Sequence, residues 1–300
     1  MVLVIQGKAI ELTTDDGKTV NQLEILELRS NQEETDSRVA LYAEYGYRKG
    51  FKTVKVRSPD SDIFFILLHF SAKINSTLLF ETGSGNKKRL INVTAIAQEC
   101  GEKLCTALMS LHVFTGCDTT SAFRGIGKIK PIKLLQKKTV FEDCLVKLGE
   151  NWSLDEKELS ELEKFTCSLY GYPRYSNINT LRYDILMKKC DNDTKLDMKK
   201  SVDLSTLPPC SDTLIQHIKR VNLQLGVWRN ALVSFQDIPT AAEHGWVMVD
   251  DLYEPNWCEK NILPVELVEL LDDTMDVDSE EEDLDLACNS SFDSDFDEGF

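Results

Sequence analysis

Several features common in secreted, membrane and zinc-binding proteins are missing from this 300-residue sequence. No apolar run reaches the ~18 residues that a membrane-spanning helix needs, and the N-terminus "MVLVIQGKAIELTT" lacks the basic segment and cleavage site of a secretory signal. The nine cysteines contain no C-x-x-C pair, which disfavours a disulfide framework or a zinc site. We therefore expect an intracellular protein, nuclear or cytoplasmic, with reduced thiols and no membrane contact.

Positive charge is missing from the C-terminal end of the chain. Residues 272–300 contain 13 of the 50 acidic residues and no Lys or Arg, so the remaining body has 37 acids against 34 bases. Such a block repels itself and buries too little apolar surface to fold, which predicts a disordered acidic tail. The tail is either a solubilising segment or, through the Leu and Phe residues in "DLDLACNSSFDSDF", a segment that docks on a basic surface or a protein partner.

The N-terminal half alternates between strand and helix patterns. The predicted elements are a hairpin at 1–25 turning at Asp16 and Gly17, a helix at 30–50 capped by Ser30 or Asn31, a buried strand at 51–58, a buried helix at 63–71, a second hairpin at 77–93 and a helix pair at 93–116. Strands that alternate with helices are typical of an α/β fold with a mostly parallel sheet. We therefore predict an α/β core of this kind.

Five acidic residues fall where these predicted elements begin or end. They are Glu34 and Asp36 in the first turn of the first helix, Asp60 and Asp62 after the strand at 51–58, and Asp118 at the end of the helix pair. Each pair alone is also typical of ordinary structure, because acids favour a helix N-terminus and Asp is a common turn residue. Gathered at the carboxyl ends of strands, however, these carboxylates would repel each other unless a cation were present. Their hard oxygen ligands suit Mg²⁺ or Mn²⁺, so the set predicts a metal site.

A basic, glycine-containing segment follows Asp118. Its candidate nucleic-acid contacts are Arg124, Gly125, Gly127, Lys128, Lys130 and Lys133. Glycines let backbone N–H groups approach a phosphate, and a helix N-terminus after them adds a favourable dipole. The lysines would then contact the phosphate backbone without reading its sequence, although lysines on an exposed helix are also typical of a plain solvated face.

Other polar and aromatic residues in apolar surroundings are better explained by packing. His69 and His112 lie in apolar runs and are expected to be core histidines, and Cys117 is expected to be a small core residue. Trp228 lies in an amphipathic helix predicted at 211–232, where it is expected to be core, with stacking on a base as the alternative.

The order and spacing of the acidic pairs resemble the flap-endonuclease and 5′-exonuclease family of PIN-like nucleases, over roughly residues 30–138. In that family a Glu-x-Glu or Glu-x-Asp pair opens a helix, which Glu34 and Asp36 match here, and an Asp-x-Asp follows the next strand, which Asp60 and Asp62 match. A Gly-x-Asp then precedes a helix–turn–helix, which Gly116 and Asp118 match, with the turn at residues 125–127. Residues 139–271 also resemble a set of mobile-element-associated animal proteins that share this nuclease-like core.

The resemblance implies a PIN-like nuclease that hydrolyses phosphodiesters of DNA or RNA with Mg²⁺ or Mn²⁺. All five acids would hold metal, and Asp60 and Asp118 would be the catalytic residues. The family uses a further aspartate from an upstream strand, where this sequence has Gln6, so a missing N-terminal strand and impaired cutting are expected. The alternative is a degenerate PIN-like module that binds nucleic acid or protein without cutting.

Three regions follow from these patterns. We predict a nuclease-like core with a helix–turn–helix at 1–138, a mostly helical region packing on it at 139–271, and the acidic tail at 272–300. The choice between DNA and RNA and the oligomeric state are left open by the sequence.

Overall fold

Strands and helices alternate through the N-terminal half of the chain, and helices predominate after it. The computed structural model describes residues 2–5, 8–15, 17–189 and 203–259. Within them the strands are β1 (Val2–Ile5), β2 (Lys8–Thr13), β3 (Asn21–Glu24), β4 (Thr53–Arg57), β5 (Thr77–Thr82), β6 (Arg89–Asn92), β7 (Trp246–Val249) and β8 (Leu252–Pro255). The helices are α1 (Thr35–Arg48), α2 (Ser61–Phe70), α3 (Val93–Cys100), α4 (Glu102–Phe114), α5 (Ile129–Lys137), α6 (Val140–Lys147), α7 (Glu156–Leu169), α8 (Ile178–Lys189) and α9 (Ser211–Arg229).

The mixed sheet β4–β5–β6 carries the strand that leads into the aspartates. β4 and β5 pair in parallel, with Thr53 opposite Thr77 and Arg57 opposite Glu81, and α2 lies between them in the chain. β6 pairs antiparallel with β5, as predicted for the hairpin at 77–93. An α/β core is therefore confirmed.

The expectation of a mostly parallel sheet is wrong. Parallel neighbours need a crossover of about a dozen residues or more, which α2 and its loops provide between β4 and β5. Residues 83–88 are too short for such a crossover, so β6 returns antiparallel. The predicted burial of the strand at 51–58 is also wrong, because β4 alternates between exposed and half-buried residues. Its outer side chains, Lys55 and Arg57, form ion pairs with Glu81 on the open face of the sheet.

The first hairpin forms a small sheet of its own. β2 pairs antiparallel with both β1 and β3, so the predicted pair of strands gains a third at the N-terminus. Ala9, Leu28 and Leu41 form a small buried cluster that fixes this sheet against α1. The helix predicted at 30–50 begins only at Thr35, because Asn31 exchanges two hydrogen bonds of 2.8 Å with the backbone of Gln236 and so remains extended.

The helix α4 lies at the centre of the molecule and contacts α2, α3, α5, α6 and α9. Nine of its thirteen residues are buried, including Met109, Val113 and Phe114. Its neighbour α2 is apolar on nearly all sides, as its sequence predicts, and packs on α4 across the same core. The predicted helix pair at 93–116 is confirmed as α3 and α4, which meet at Gly101.

The predicted helix–turn–helix after Asp118 is wrong in its first helix. Residues 115–128 are irregular, and α5 is the first helix that follows α4. The Thr120 hydroxyl donates to the Val113 carbonyl at 2.6 Å, and the backbones of Cys117 and Thr120 pair, which closes a tight turn where the helix is expected. Gly116 has φ of +111°, and a Cβ there would lie 2.9 Å from the Cα of Ala122, so this turn requires glycine.

The helices on both sides of residue 138 share one hydrophobic core. Met1–Glu259 forms a single unit by its contacts, and α9 reaches from the C-terminal part of that unit onto α4. The predicted boundary at residue 138 stays a prediction, and the acidic tail at 272–300 lies outside the described residues. No helix in the described part of the chain is long and apolar enough to span a membrane.

We predict that Gly149→Ala destabilises the protein more than Gly171→Ala. Both glycines have positive φ, +75° and +92°, so each substitution is expected to cost about 1–2 kcal/mol from backbone strain. At Gly149 the new Cβ would also lie 2.6 Å from the backbone carbon of Leu225 in α9, whereas at Gly171 it would meet no atom within 4 Å. Urea unfolding measures both losses, and equal losses would contradict the close packing of this loop on α9.

Candidate functional site

Three aspartates meet where the chain leaves β4 and enters α2. Asp36, Asp60 and Asp62 each offer a carboxylate oxygen, and these oxygens all lie within 4.8 Å of one another. Asp62 is buried, and Asp36 and Asp60 are half-buried. Carboxylate oxygens at this spacing are suitable ligands for a hard divalent cation such as Mg²⁺ or Mn²⁺.

Local helix geometry places the three aspartates at the starts of α1 and α2 and fixes the carboxylate of Asp60. Asp60 is the N-cap of α2 and accepts a hydrogen bond of 2.9 Å from the backbone N–H of Asp62. Its own N–H donates to the Ser58 hydroxyl at 3.0 Å, which holds the turn after β4. Asp36 lies in the first turn of α1. Two helix N-termini therefore direct their dipoles at the cluster, which favours negative charge there.

His112 of α4 orients the buried member of the cluster. Its Nε2 lies 2.6 Å from a carboxylate oxygen of Asp62, and its ring stacks on Phe65 at 4.2 Å between centroids. Burial lowers the pKa of His112, with the hydrogen bond to Asp62 acting against it, so the ring is neutral near pH 7 and donates through Nε2–H. The expectation of a core histidine is confirmed, and its contact with the cluster was not foreseen.

Glu34, the N-cap of α1, is held by α9. Gln224 donates to its two carboxylate oxygens at 3.2 and 3.0 Å, and the indole N–H of Trp228 donates at 3.2 Å. Trp228 is 1% exposed, which confirms the core expectation and excludes base stacking in this conformation. The carbonyl of Gln224 also accepts from the Thr119 hydroxyl at 2.9 Å, so one side chain joins Glu34 to the loop that carries Asp118.

Asp118 lies on the exposed side of the same cluster. The pKa of Asp118 is raised, first by burial of its carboxyl group and then by the charges of Asp62 and Asp60. The pKa of Glu34 is raised by burial, against the hydrogen bonds from Trp228 and Gln224, and further by Asp62 and Asp118. The fold thus brings together all five acids that the sequence singles out, three in the close group and two beside it.

Asp36 shows how strongly these carboxylates interact. Burial raises its pKa from 3.8 to about 7, and the negative charges of Asp60, Asp62, Glu34 and Asp118 all act in the same direction. Near neutral pH the Asp36 carboxyl is therefore divided between its protonated and ionised forms. A bound cation would favour the ionised form and release the proton.

Lys128 points into the protein, unlike the outward phosphate contact that the sequence predicts. Its ammonium donates to the His112 carbonyl at 2.7 Å and to the Gly116 carbonyl, at the C-terminal end of α4. Burial lowers its pKa to about 8. A sequence signal exists for this orientation, because Lys128 precedes the buried Pro131 and Leu135 by three and seven residues and so shares their face of α5.

The other predicted nucleic-acid contacts face outward. Lys130 and Lys133 are exposed on α5, and a Cβ at Gly125 or Gly127 would meet no atom within 4 Å. The first turn of α5 has no side-chain cap, so its backbone N–H groups are not covered by a capping side chain. Arg124 is also exposed, although its guanidinium lies 3.4 Å from Asp203.

We predict that Asp36→Asn makes the metal-free protein more stable above neutral pH. The folded pKa of about 7 exceeds the unfolded value of 3.8, so the unfolded chain loses this proton first as pH rises. The free energy of unfolding should therefore fall between about pH 4 and about pH 7 in the wild type, and fall less in Asp36→Asn. Urea unfolding in EDTA across this range tests it, with exposed Asp237→Asn as control. Identical pH dependence of the free energy of unfolding in wild type and Asp36→Asn would contradict the raised pKa of Asp36.

Comparisons of the chain with protein-family models, with curated proteins and with solved structures give no match. The resemblance to flap endonucleases therefore stays a prediction that depends on the acidic residues and their spacing. What the acids can do must be argued from the geometry described above.

Proposed function

We propose that this protein hydrolyses phosphodiester bonds of DNA or RNA with Mg²⁺ or Mn²⁺ held by Asp36, Asp60 and Asp62. The main support is the group of three carboxylates with oxygens within 4.8 Å of one another, placed at two helix N-termini after a parallel strand. Ligands of α/β proteins commonly bind at the carboxyl ends of parallel strands. Burial, and after it the charges of the neighbouring carboxylates, raise the pKa of Asp36 to about 7, and a bound cation would favour the ionised form.

Each residue has a defined task in this proposal. A bound divalent cation would supply positive charge against the scissile phosphate. Asp60 and Asp62 would hold it in an orientation fixed by the α2 cap and by His112. Glu34 is fixed by Gln224 and Trp228 and adds negative charge beside the close group. Asp118 is exposed, and its raised pKa suits a carboxylate that accepts a proton from attacking water.

The substrate backbone would lie along the outer face of α5. Lys130 and Lys133 are exposed there, and Gly125 and Gly127 leave open space beside the uncapped first turn of the helix. Phosphate contacts of this kind position a nucleic acid without reading its sequence. Lys128 is assigned a structural task instead, because its ammonium binds the end of α4 and thereby fixes the loop of Asp118.

A second candidate function is nucleic-acid binding without cutting. Within the described residues the close group contains three acids, and Glu34 is engaged by two hydrogen-bond donors from α9. Two-metal phosphodiester cleavage requires ligands for ions on both the attacking and the leaving oxygen. A site that holds one cation would bind a phosphate and cut poorly.

The two functions are separated by cleavage of labelled single-stranded, duplex and branched DNA and RNA with Mg²⁺, with Mn²⁺ and in EDTA. The nuclease proposal predicts metal-dependent cutting that Asp60→Asn and Asp118→Asn reduce by at least about a hundredfold, the scale of losing one contact to transition-state charge. Asp237→Asn is the matched control, since it removes one exposed carboxylate that does not belong to the group of three.

The outcomes of this experiment are distinct. Cutting by the wild type that survives both cluster substitutions would reject these residues as the active site. Binding without cutting under every condition would favour the second candidate. If the wild-type protein neither binds nor cuts any of these nucleic acids, both functions are rejected.

A further inference from the structure

A cationic groove outside the acidic cluster lies between α6 and α7. It has a volume of about 890 Å³ and is closed at one side by residues 173–176, which join α7 to α8. α6 contacts both α4 and α7, so both walls of the groove belong to the main hydrophobic core. The groove is therefore a fixed feature of the surface.

Unpaired positive charge distinguishes this groove. Its charged lining residues are Lys147, Lys157, Lys164, Arg174, Asp143 and Glu161. Asp143 is already paired with Lys103 at 2.8 Å. Within the described residues none of the four cations forms an ion pair, whereas Lys55, Arg57 and Lys88 on the open sheet face all converge on Glu81. The pKa of Asp143 is lowered by Lys103 and also by the charge of Lys147. The groove thus presents Lys157, Lys164 and Arg174 as cations whose charge is available to a ligand.

The helix α7 carries two of these cations on one face. Lys157, Glu161 and Lys164 follow one another at intervals of four and three residues, so they share one face of the helix. Lys157, Lys164 and Arg174 are exposed. Lys157 and Lys164 are therefore two helical turns, about 10 Å, apart with Glu161 between them, and with Arg174 they offer separate cations to a ligand that carries several negative charges, such as a phosphate backbone.

Aromatic rings line the same groove. Phe141 and Tyr175 are half-buried in its wall. The Phe141 ring packs on Phe165 and lies 5.7 Å from the ammonium of Lys138, whereas the Tyr175 ring is fixed by the hydrogen bond that its hydroxyl donates to Asp184 at 2.5 Å and is the face offered to a base. Aromatic faces beside a basic track are typical of surfaces that bind single-stranded nucleic acid, because unpaired bases stack on them. This feature favours a nucleic acid over an acidic peptide.

The helix α5 connects the groove to the acidic cluster. Lys128 at its start binds the loop that carries Asp118, and Val140 and Phe141, just after its end, line the groove. Nine helical residues span about 13 Å. Exposed Lys130, Lys133 and Lys137 lie along this length at intervals of three and four residues.

We propose that the α6–α7 groove binds the phosphate backbone of a single-stranded nucleic acid, as a second contact beyond the acidic cluster and continuous with it along α5. The choice of a nucleic acid as the ligand rests on the proposed function. The location of the groove and its unpaired cations are independent of that function.

The test is the salt dependence of binding of a labelled oligo-dT to the full chain in EDTA, measured by fluorescence anisotropy. Lys157→Ala/Lys164→Ala/Arg174→Ala should weaken binding and flatten the slope of log K against log salt by about 2, or about 0.7 for each lost contact. Lys52→Ala/Lys87→Ala/Arg89→Ala removes equal charge beside the β4–β5–β6 sheet and should keep the wild-type slope. Equal urea midpoints show that all variants fold.

Several results would overturn the inference. If Lys157→Ala/Lys164→Ala/Arg174→Ala (the groove variant) keeps the wild-type salt slope, the groove is rejected as the binding site. If Lys52→Ala/Lys87→Ala/Arg89→Ala (the sheet variant) flattens the slope by the same amount, only net charge matters. A groove variant that loses binding of polyglutamate but keeps its oligo-dT slope identifies an acidic-peptide site instead. No binding of oligo-dT by the wild-type protein also rejects the inference. Because EDTA excludes cutting, a flattened slope supports the groove even if the nuclease proposal fails.

Discussion

Repulsion among carboxylates at the start of α1 and α2 is the constraint on which the arrangement of the site depends. Asp36, Asp60 and Asp62 place oxygens within 4.8 Å of one another, and burial together with the neighbouring charges raises the pKa of Asp36 to about 7. Two helix N-termini offset part of this repulsion. The rest must be offset by protonation or by a bound cation, which makes the cluster responsive to both pH and metal.

The cluster is held from several distant parts of the chain. His112 fixes Asp62, while Gln224 and Trp228 of α9 fix Glu34 across about 190 residues of sequence. Lys128 fastens the loop of Asp118 to the end of α4. These contacts, with the N-cap bond of Asp60, orient the carboxylates of Asp60, Asp62 and Glu34 before any ion binds, which preorganises them as ligands. A change that disrupts the packing of α9 would therefore release Glu34 from its fixed orientation in the acidic site.

Local signals in the sequence were sufficient to find the acids. Glu34, Asp36, Asp60 and Asp62 are revealed by their positions next to predicted helix starts, and Asp118 by the end of an apolar helix. The partners of these acids could not be found in the same way, because Gln224 and Trp228 meet Glu34 only through tertiary packing.

The errors in the expected fold have equally local causes. The hairpin predicted at 77–93 forms with its short connection at residues 83–88, and its antiparallel β6 makes the three-stranded sheet mixed instead of mostly parallel. A few side-chain hydrogen bonds, led by Thr120 to Val113, replace the first helix of the predicted helix–turn–helix with a turn. Lysine spacing alone predicts a continuous cationic face, whereas the buried face of α5 draws Lys128 inward.

Calorimetric titration of the full chain with Mg²⁺ or Mn²⁺ at pH 7, in two buffers of different ionisation enthalpy, tests the central claim most directly. The account predicts saturable binding with release of roughly half a proton, since a carboxyl with a pKa of about 7 is half protonated there. The Asp36→Asn protein should bind the cation more weakly and release fewer protons, and the Asp237→Asn protein should behave as wild type. Absence of saturable binding, or identical binding and proton release in Asp36→Asn, would contradict the metal site.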